Sequence, residues 1–277
     1  MIDFRPERCP ISGLSEAHRV FVYTAPPAVE IGFPRANDEP YYREVWQFVI
    51  SNHFVSRHAM NIAAGYAGDY VDATYGDGIA RTFERIIALP PERSDNIGRM
   101  RRIREFSATR FGEREVFDLL DVGAGLGVFP HAVKQAGWNC TAIDPDRRAV
   151  HHMRERVGVT AICGDFMEIA ATDRFDLVTF NKVLEHVEDP ISMLRRAREF
   201  LAPGGCVYLE VPDGEMAACE GSEREEFTVE HLHVFSFAST VIMAQRAGYS
   251  PLAVERVREP STKFTLRAFL APTELAA

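Results

Sequence analysis

The 277-residue chain lacks long apolar runs, paired cysteines and an excess of basic residues. No segment approaches the roughly 18 consecutive apolar residues of a membrane span, so we expect no membrane partner. The N-terminus also lacks the apolar core of a signal peptide. Five scattered cysteines suit a reducing compartment better than a disulfide framework, which predicts a cytoplasmic protein. A net charge of −9 argues against a nucleic-acid partner.

The most informative segment is a strand that runs directly into closely spaced glycines. The apolar stretch from Val116 to Val122 contains one acid, Asp121. Three glycines separated by single residues follow it, and then a helical pattern begins: Gly123, Gly125 and Gly127. Glycine lets the backbone turn sharply and approach a ligand, and the next helix presents free N–H groups. The segment predicts a nucleotide-like ligand; the alternative is a tight turn without one.

Acids at the ends of later segments support the ligand interpretation. A second strand, 138–143, ends in Asp144, about 20 residues beyond the first glycine, where an acid typically binds ribose hydroxyls. Asp165 and Phe166 place a carboxylate beside an aromatic ring, a combination suited to an adenine. A fourth apolar run ends in Asn181. These segments together predict one cofactor site.

The order and spacing of these segments resemble the class I S-adenosylmethionine-dependent methyltransferases over about residues 110 to 271. The glycine spacing is Gly-x-Gly-x-Gly, whereas the dehydrogenase fingerprint is Gly-x-Gly-x-x-Gly. The resemblance implies S-adenosylmethionine as cofactor and an α/β fold. That fold is a Rossmann-like, seven-stranded, mostly parallel sheet with helices on both faces and a closing antiparallel hairpin.

The same resemblance implies roles for individual cofactor-binding residues. Asp121 is expected near the methionine ammonium, Asp144 at the ribose hydroxyls and Asp165 at the adenine amine. Phe166 is expected at the adenine ring and its N1 edge, and the backbone of Asn181 near the methionine part. The complete expected set is Asp121, Gly123, Ala124, Gly125, Gly127, Asp144, Pro145, Asp165, Phe166 and Asn181.

Two histidine clusters offer a proton acceptor for the reaction. Glu185 and His186 follow the fourth strand, and a later loop carries His231 and His233, which alternation would put on one face of a short strand. The candidate catalytic residues are His233, His231, His186 and Glu185. His186 has an alternative role in capping the next turn. The two clusters together resemble small-molecule methyltransferases, including some that act on sugars.

We expect no metal in either of the two places where a site could be imagined. Some quinone-type O-methyltransferases bind a metal through Glu-x-x-Glu-His, but Lys182 occupies the position of the first acid here. Near the N-terminus, Cys9 lacks a second cysteine at Ser12, and a zinc site needs four ligands.

Residues 1–106 are expected to form a mainly helical extension that binds the substrate or acts as a lid, before a cofactor-binding domain over 107–277. The elements predicted in it are one strand and three helices: strand 19–24 and helices 39–57, 79–89 and 94–106. Nothing in the sequence indicates an oligomeric state.

The functional hypothesis is methyl transfer to a small-molecule acceptor such as a sugar, a nucleotide-sugar or a related intermediate, on oxygen or carbon. Three alternatives stay open at this point. They are a protein or tRNA methyltransferase, an enzyme that uses the same cofactor pocket for other chemistry, and a non-catalytic scaffold with a relic fold.

Overall fold

A computed structural model describes residues 4–30, 40–60, 78–112 and 114–273. Its strands are β1 (Ala17–Tyr23), β2 (Arg43–Phe48), β3 (Phe54–His58), β4 (Asp118–Val122), β5 (Asn139–Asp144), β6 (Thr160–Cys163), β7 (Phe175–Asn181), β8 (Leu201–Pro212), β9 (His233–Val234), β10 (Tyr249–Arg258) and β11 (Phe264–Pro272). Its α-helices are α1 (Ile79–Ile87), α2 (Asp95–Phe111), α3 (Val128–Gln135), α4 (Arg147–His152), α5 (Pro190–Arg196), α6 (Gly214–Glu220) and α7 (Phe237–Arg246). Within these residues, no helix combines the length and apolarity that a membrane crossing would need.

The larger sheet has the order β10-β11-β8-β7-β4-β5-β6. Strands β4 to β8 are parallel to one another, whereas β11 is antiparallel both to β8 and to β10, with which it forms a hairpin at one edge. Residues on both faces of the central strands are buried, as Leu119 and Leu120 in β4 illustrate, because helices cover both faces. The expected α/β fold is therefore confirmed, and the carboxyl ends of β4 to β7 meet at one edge.

The smaller sheet shows that the helix predicted over 39–57 is wrong. Strands β2 and β3 form an antiparallel hairpin there, between β1 and the short strand β9. The turn includes Asn52 with φ of +49°, a conformation that interrupts a helix. The apolar residues Val45, Phe48 and Phe54 are buried by the tertiary contacts of the sheet, which override the local helical pattern.

The predicted strand and the other two predicted helices of the extension are present in the structure. Strand β1 and helices α1 and α2 form where they are expected, and Ser94 caps α2 by accepting a hydrogen bond from the N–H of Ile97. The described residues of the extension therefore include three strands, β1 to β3, beside its helices. Helix α2 continues past residue 106, and β9 completes the smaller sheet from residues 233–234. A division of the chain at 106 stays a prediction.

Candidate active site

A cavity of about 1810 Å³ opens at the carboxyl edge of the larger sheet. The loops after β4, β5, β6 and β7 line one part of it. Helix α1, the N-terminus of α2, the loop before β9 and the β10–β11 turn also contribute lining residues. Typical ligand pockets measure roughly 300–1,000 Å³, so the described residues enclose space for two ligands. All ten expected cofactor-binding residues except Gly127 line it.

The glycine loop approaches the cavity in backbone conformations that favour glycine. Gly123 has φ of +69°, and a Cβ there would lie 2.7 Å from Cγ2 of Val183. Gly125 has φ of +52° and no atom within 4 Å of the position a Cβ would take, so its backbone borders open space. Gly127 precedes α3 directly and serves as its N-cap residue. The loop therefore leaves room for a ligand beside its backbone.

Asp144 lies at the end of β5 and is held by backbone donors. Its Oδ2 accepts a hydrogen bond from the N–H of Gly125 at 2.8 Å, and its Oδ1 accepts one from the N–H of Asp146 at 2.8 Å. Burial raises the pKa of this carboxyl, and the two backbone bonds oppose that shift. Each oxygen keeps a lone pair, so the fixed carboxylate suits a pair of ribose hydroxyls.

Asp121 is buried at the end of β4 beside two polar side chains of β7. Its Oδ1 accepts hydrogen bonds from Thr179 Oγ1 at 2.7 Å and from Asn181 Nδ2 at 2.8 Å. Burial nevertheless raises the pKa of Asp121 to about 7. The amide Oδ1 of Asn181 is buried without a hydrogen bond in the described structure. This orphaned oxygen and the carboxylate together fit an ammonium group.

Sequence reasoning missed the side chains of Thr179 and Asn181. It assigned Asn181 a role through its backbone, but the amide holds Asp121 directly. The available signal was alternation along β7, which puts residues 179 and 181 on the same face of the strand.

Asp165 and Phe166 follow β6 and behave differently from each other. Asp165 is exposed and borders the cavity, and its Oδ1 accepts a hydrogen bond from the N–H of Met167. The ring of Phe166 packs in the core, 5.7 Å from the ring centroid of Phe180 and 5.0 Å from that of Phe200. Phe166 borders the cavity, but only 3% of it is exposed and its ring packs in the core, so its backbone is the part best placed for the expected adenine contact, which stays a prediction.

Glu185, His186 and His231 come together at the cavity. One carboxylate oxygen of Glu185 and one ring nitrogen of each histidine lie within 4.8 Å of one another. Glu185 is fully buried, and no described residue donates a hydrogen bond to either of its carboxylate oxygens. Burial raises the pKa of Glu185 to about 7, although the charge of Lys182 opposes this.

The hydrogen bonds of the two histidines determine their tautomers. Nδ1 of His186 lies 3.0 Å from the carbonyl oxygen of Glu230, and Nδ1 of His231 lies 2.8 Å from that of Glu226. A carbonyl oxygen only accepts, so each Nδ1 carries the proton and each Nε2 offers a lone pair. Burial lowers the pKa of both rings, which keeps them neutral at physiological pH.

His233 does not join this cluster, although the sequence placed it on one face with His231. Strand β9 contains only residues 233 and 234, so alternation does not extend to His231, whose ring packs 4.9 Å from that of His186. Nδ1 of His233 instead lies 3.1 Å from Nε2 of His53. The residue is 4% exposed and is not among the cavity residues, so a catalytic role for it has no support in this geometry.

The chain was also compared with known protein families, sequences and structures. A model of the methyltransferase domain family matches residues 72–254. The chain belongs to this methyltransferase family. Its relatives include the ubiquinone biosynthesis O-methyltransferase of Pseudomonas aeruginosa strain UCBPP-PA14, 32% identical over 116 residues that cover 38% of this chain and 50% of that protein. The cypemycin N-terminal methyltransferase of a Streptomyces species is 27% identical over 151 residues, 52% of this chain and 61% of that protein.

The chain spans about half the length of the ubiquinone O-methyltransferase that it matches. Among solved structures, the magnesium protoporphyrin IX methyltransferase of Synechocystis PCC 6803 has a TM-score of 0.55 at 14% identity, covering 74% of this chain and 99% of that one. The glycopeptide N-methyltransferase MtfA with bound S-adenosylhomocysteine has a TM-score of 0.51 at 17% identity, covering 62% and 88%. At these identities the likeness supports the shared fold alone.

Proposed function

We propose that this methyltransferase-family protein transfers a methyl group from S-adenosylmethionine to a small-molecule acceptor. One observation carries the proposal. The residues suited to the cofactor and a cluster of proton acceptors, Glu185, His186 and His231, border the same cavity. A volume of about 1810 Å³ has space for the cofactor and an acceptor together.

The residues at the ends of β4 and β5 fit the cofactor. Asp121 and the unpaired oxygen of Asn181 would hold the ammonium of its methionine part, and Asp144 would accept hydrogen bonds from its ribose hydroxyls. When bound, the cofactor supplies a methyl carbon attached to a sulfonium, which is open to in-line attack. The protein then has to hold the acceptor in line and accept its proton.

A neutral histidine is suited to that proton transfer. His186 and His231 each direct Nδ1–H to a carbonyl, which leaves Nε2 to take a proton from the acceptor. The carboxylate of Glu185 beside them would stabilise the resulting imidazolium. These assignments replace His233 as the favoured base.

The nature of the acceptor and the location of the protein stay predictions. The relatives are named for O- and N-methylation, so kinship does not decide the atom that is methylated. A sugar or nucleotide-sugar acceptor rests on the resemblance of the histidine loop. All five cysteines are free, which supports the expected cytoplasmic location. Ile79 and Arg99 of the extension border the cavity, which supports its expected role in substrate binding.

Calorimetric titration with S-adenosylhomocysteine tests the proposal. We expect micromolar binding by the wild type, corresponding to about 8 kcal/mol, and a loss of about tenfold or more in Asp144→Asn. Asp173→Asn is the matched control, because Asp173 is exposed and outside the cavity. Absence of binding by the folded wild type would contradict the proposed function.

A further inference from the structure

When Glu185 is ionised, above its raised pKa of about 7, three hydrogen-bond acceptors converge in the cavity without a donor among them. They are the carboxylate of Glu185 and the unprotonated Nε2 atoms of His186 and His231; one carboxylate oxygen and one ring nitrogen of each histidine lie within 4.8 Å of one another. Because each Nδ1–H is already bonded to a carbonyl, neither ring has a proton left to donate. A ligand that satisfies this cluster has to bring the donors itself.

The carboxylate also has no ion pair with a described residue, although the charge of Lys182 acts on it and lowers its pKa. Glu185 is fully buried, yet no described residue donates a hydrogen bond to it. The nearest candidate is Lys182, but its Nζ donates to Thr265 Oγ1 at 2.6 Å and makes no ion pair with Glu185. A buried and unpaired carboxylate is unfavourable unless a ligand brings a compensating positive charge.

A protonated primary amine meets both requirements. An ammonium group carries one positive charge and three N–H donors, which match three acceptors, whereas an alcohol carries one donor and no charge. We propose that Glu185, His186 and His231 bind the primary ammonium group of the acceptor, so that the protein methylates nitrogen. This inference rests on the proposed function and narrows its acceptor class from any small molecule to an amine.

The reaction balances with the residues present. The ammonium loses one proton to Nε2 of a histidine, which frees a lone pair on nitrogen. That lone pair forms a bond to the methyl carbon, the electron pair of the carbon–sulfur bond goes to sulfur, and the product is a protonated secondary amine. The histidine then releases its proton to solvent. Neutral histidines beside a carboxylate suit this sequence, because they are free to accept the proton.

The test uses the full-length protein with 15N-labelled histidine, with and without S-adenosylhomocysteine. We expect methylammonium chloride to shift the Nε2 resonances of His186 and His231 in a saturable way. Tetramethylammonium chloride, which has the same charge but no N–H donors, should not shift them. Glu185→Gln should weaken methylammonium binding about ten- to a hundredfold. Glu168→Gln, which changes an exposed acid that does not line the cavity, is the matched control.

Three results would overturn the inference. The first is no saturable shift with methylammonium in the folded protein. The second is an equal response to tetramethylammonium. The third is a response to magnesium or zinc chloride without one to methylammonium, which would make the cluster a divalent-cation site. His231→Asn provides a second variant if Glu185→Gln does not fold. Binding of S-adenosylhomocysteine without a methylammonium-induced shift would refute the amine acceptor but not the proposed function. A methylammonium-induced shift without binding of S-adenosylhomocysteine would refute the proposed function but not the ammonium site.

Discussion

Two buried glutamates near the same cavity have opposite surroundings. Glu210 on β8 has ion pairs with Arg99 at 2.5 Å and with Arg267 at 3.0 Å, and it accepts a hydrogen bond from Tyr208 at 2.6 Å. Glu185 in the loop after β7 is equally buried but receives no hydrogen bond from a described residue. Burial raises the pKa of both; the charge of Arg99 nonetheless brings Glu210 to about 2, whereas Glu185 stays at about 7.

The contrast distinguishes Glu210, whose charge stabilises the fold, from Glu185, whose charge we propose binds a ligand. Glu210 is neutralised within the protein and ties α2, through Arg99, to the larger sheet. Glu185 would be costly if its only role were structural, since a buried charge without a partner opposes folding. Proteins tolerate such groups mainly where function requires them, so the pair predicts different responses to the same substitution.

The largest expected effect is on stability. Glu210→Gln removes the buried negative charge that pairs with Arg99 and Arg267. It should therefore lower the free energy of unfolding by about 3–5 kcal/mol. Glu185→Gln should be neutral or stabilising at pH 8, where the wild-type carboxylate is ionised at a cost. Denaturant unfolding measures both. Equal destabilisation by the two variants would contradict the comparison.

The pH dependence of these two variants has opposite signs. The folded pKa of Glu185 is raised, so its ionisation lowers stability progressively between about pH 4.5 and its folded value of about 7. The free energy of unfolding of Glu185→Gln, relative to that of the wild type, should therefore increase by about 3 kcal/mol as the pH rises across that window. Glu210 has a depressed pKa, so its stabilisation is present above about pH 4.5 and is lost as the pH falls towards about 2.

A smaller effect is expected on turnover from the histidines. The double variant His186→Asn with His231→Asn should slow methyl transfer about a hundredfold while leaving cofactor affinity unchanged, because these rings accept the proton. Release of S-adenosylhomocysteine with an acceptor identified by screening amines measures the rate. His233→Asn is the comparison variant: His233 is not among the cavity residues and its ring bonds to His53, although its backbone N–H donates to the carbonyl of Glu185, so this substitution should change stability more than turnover. Equal losses of rate in the double variant and in His233→Asn would contradict the assignment of His186 and His231 as the proton acceptors.

The sequence predicted the fold and the cofactor side of the cavity better than the acceptor side. Asp121, the glycines and Asp144 occupy fixed positions relative to strand ends, so spacing along the chain locates them. The isolation of Glu185 depends on Lys182 bonding to Thr265, 83 residues away, which no local pattern encodes. The structure separates His233 from His231, because alternation applies only within a strand and β9 is two residues long. The hairpin β2–β3 was missed because its apolar residues also fit a helical period.

Glu185 is buried without a hydrogen bond from a described residue because, in our proposal, its carboxylate binds a ligand. The most direct test is a carbon-13 NMR titration of its carboxyl group, assigned with Glu185→Gln. We expect a pKa of about 7 in the free protein, falling when methylammonium is added, because a bound cation favours the ionised form. A pKa close to the ordinary value of about 4.3, unchanged by methylammonium, would contradict the account.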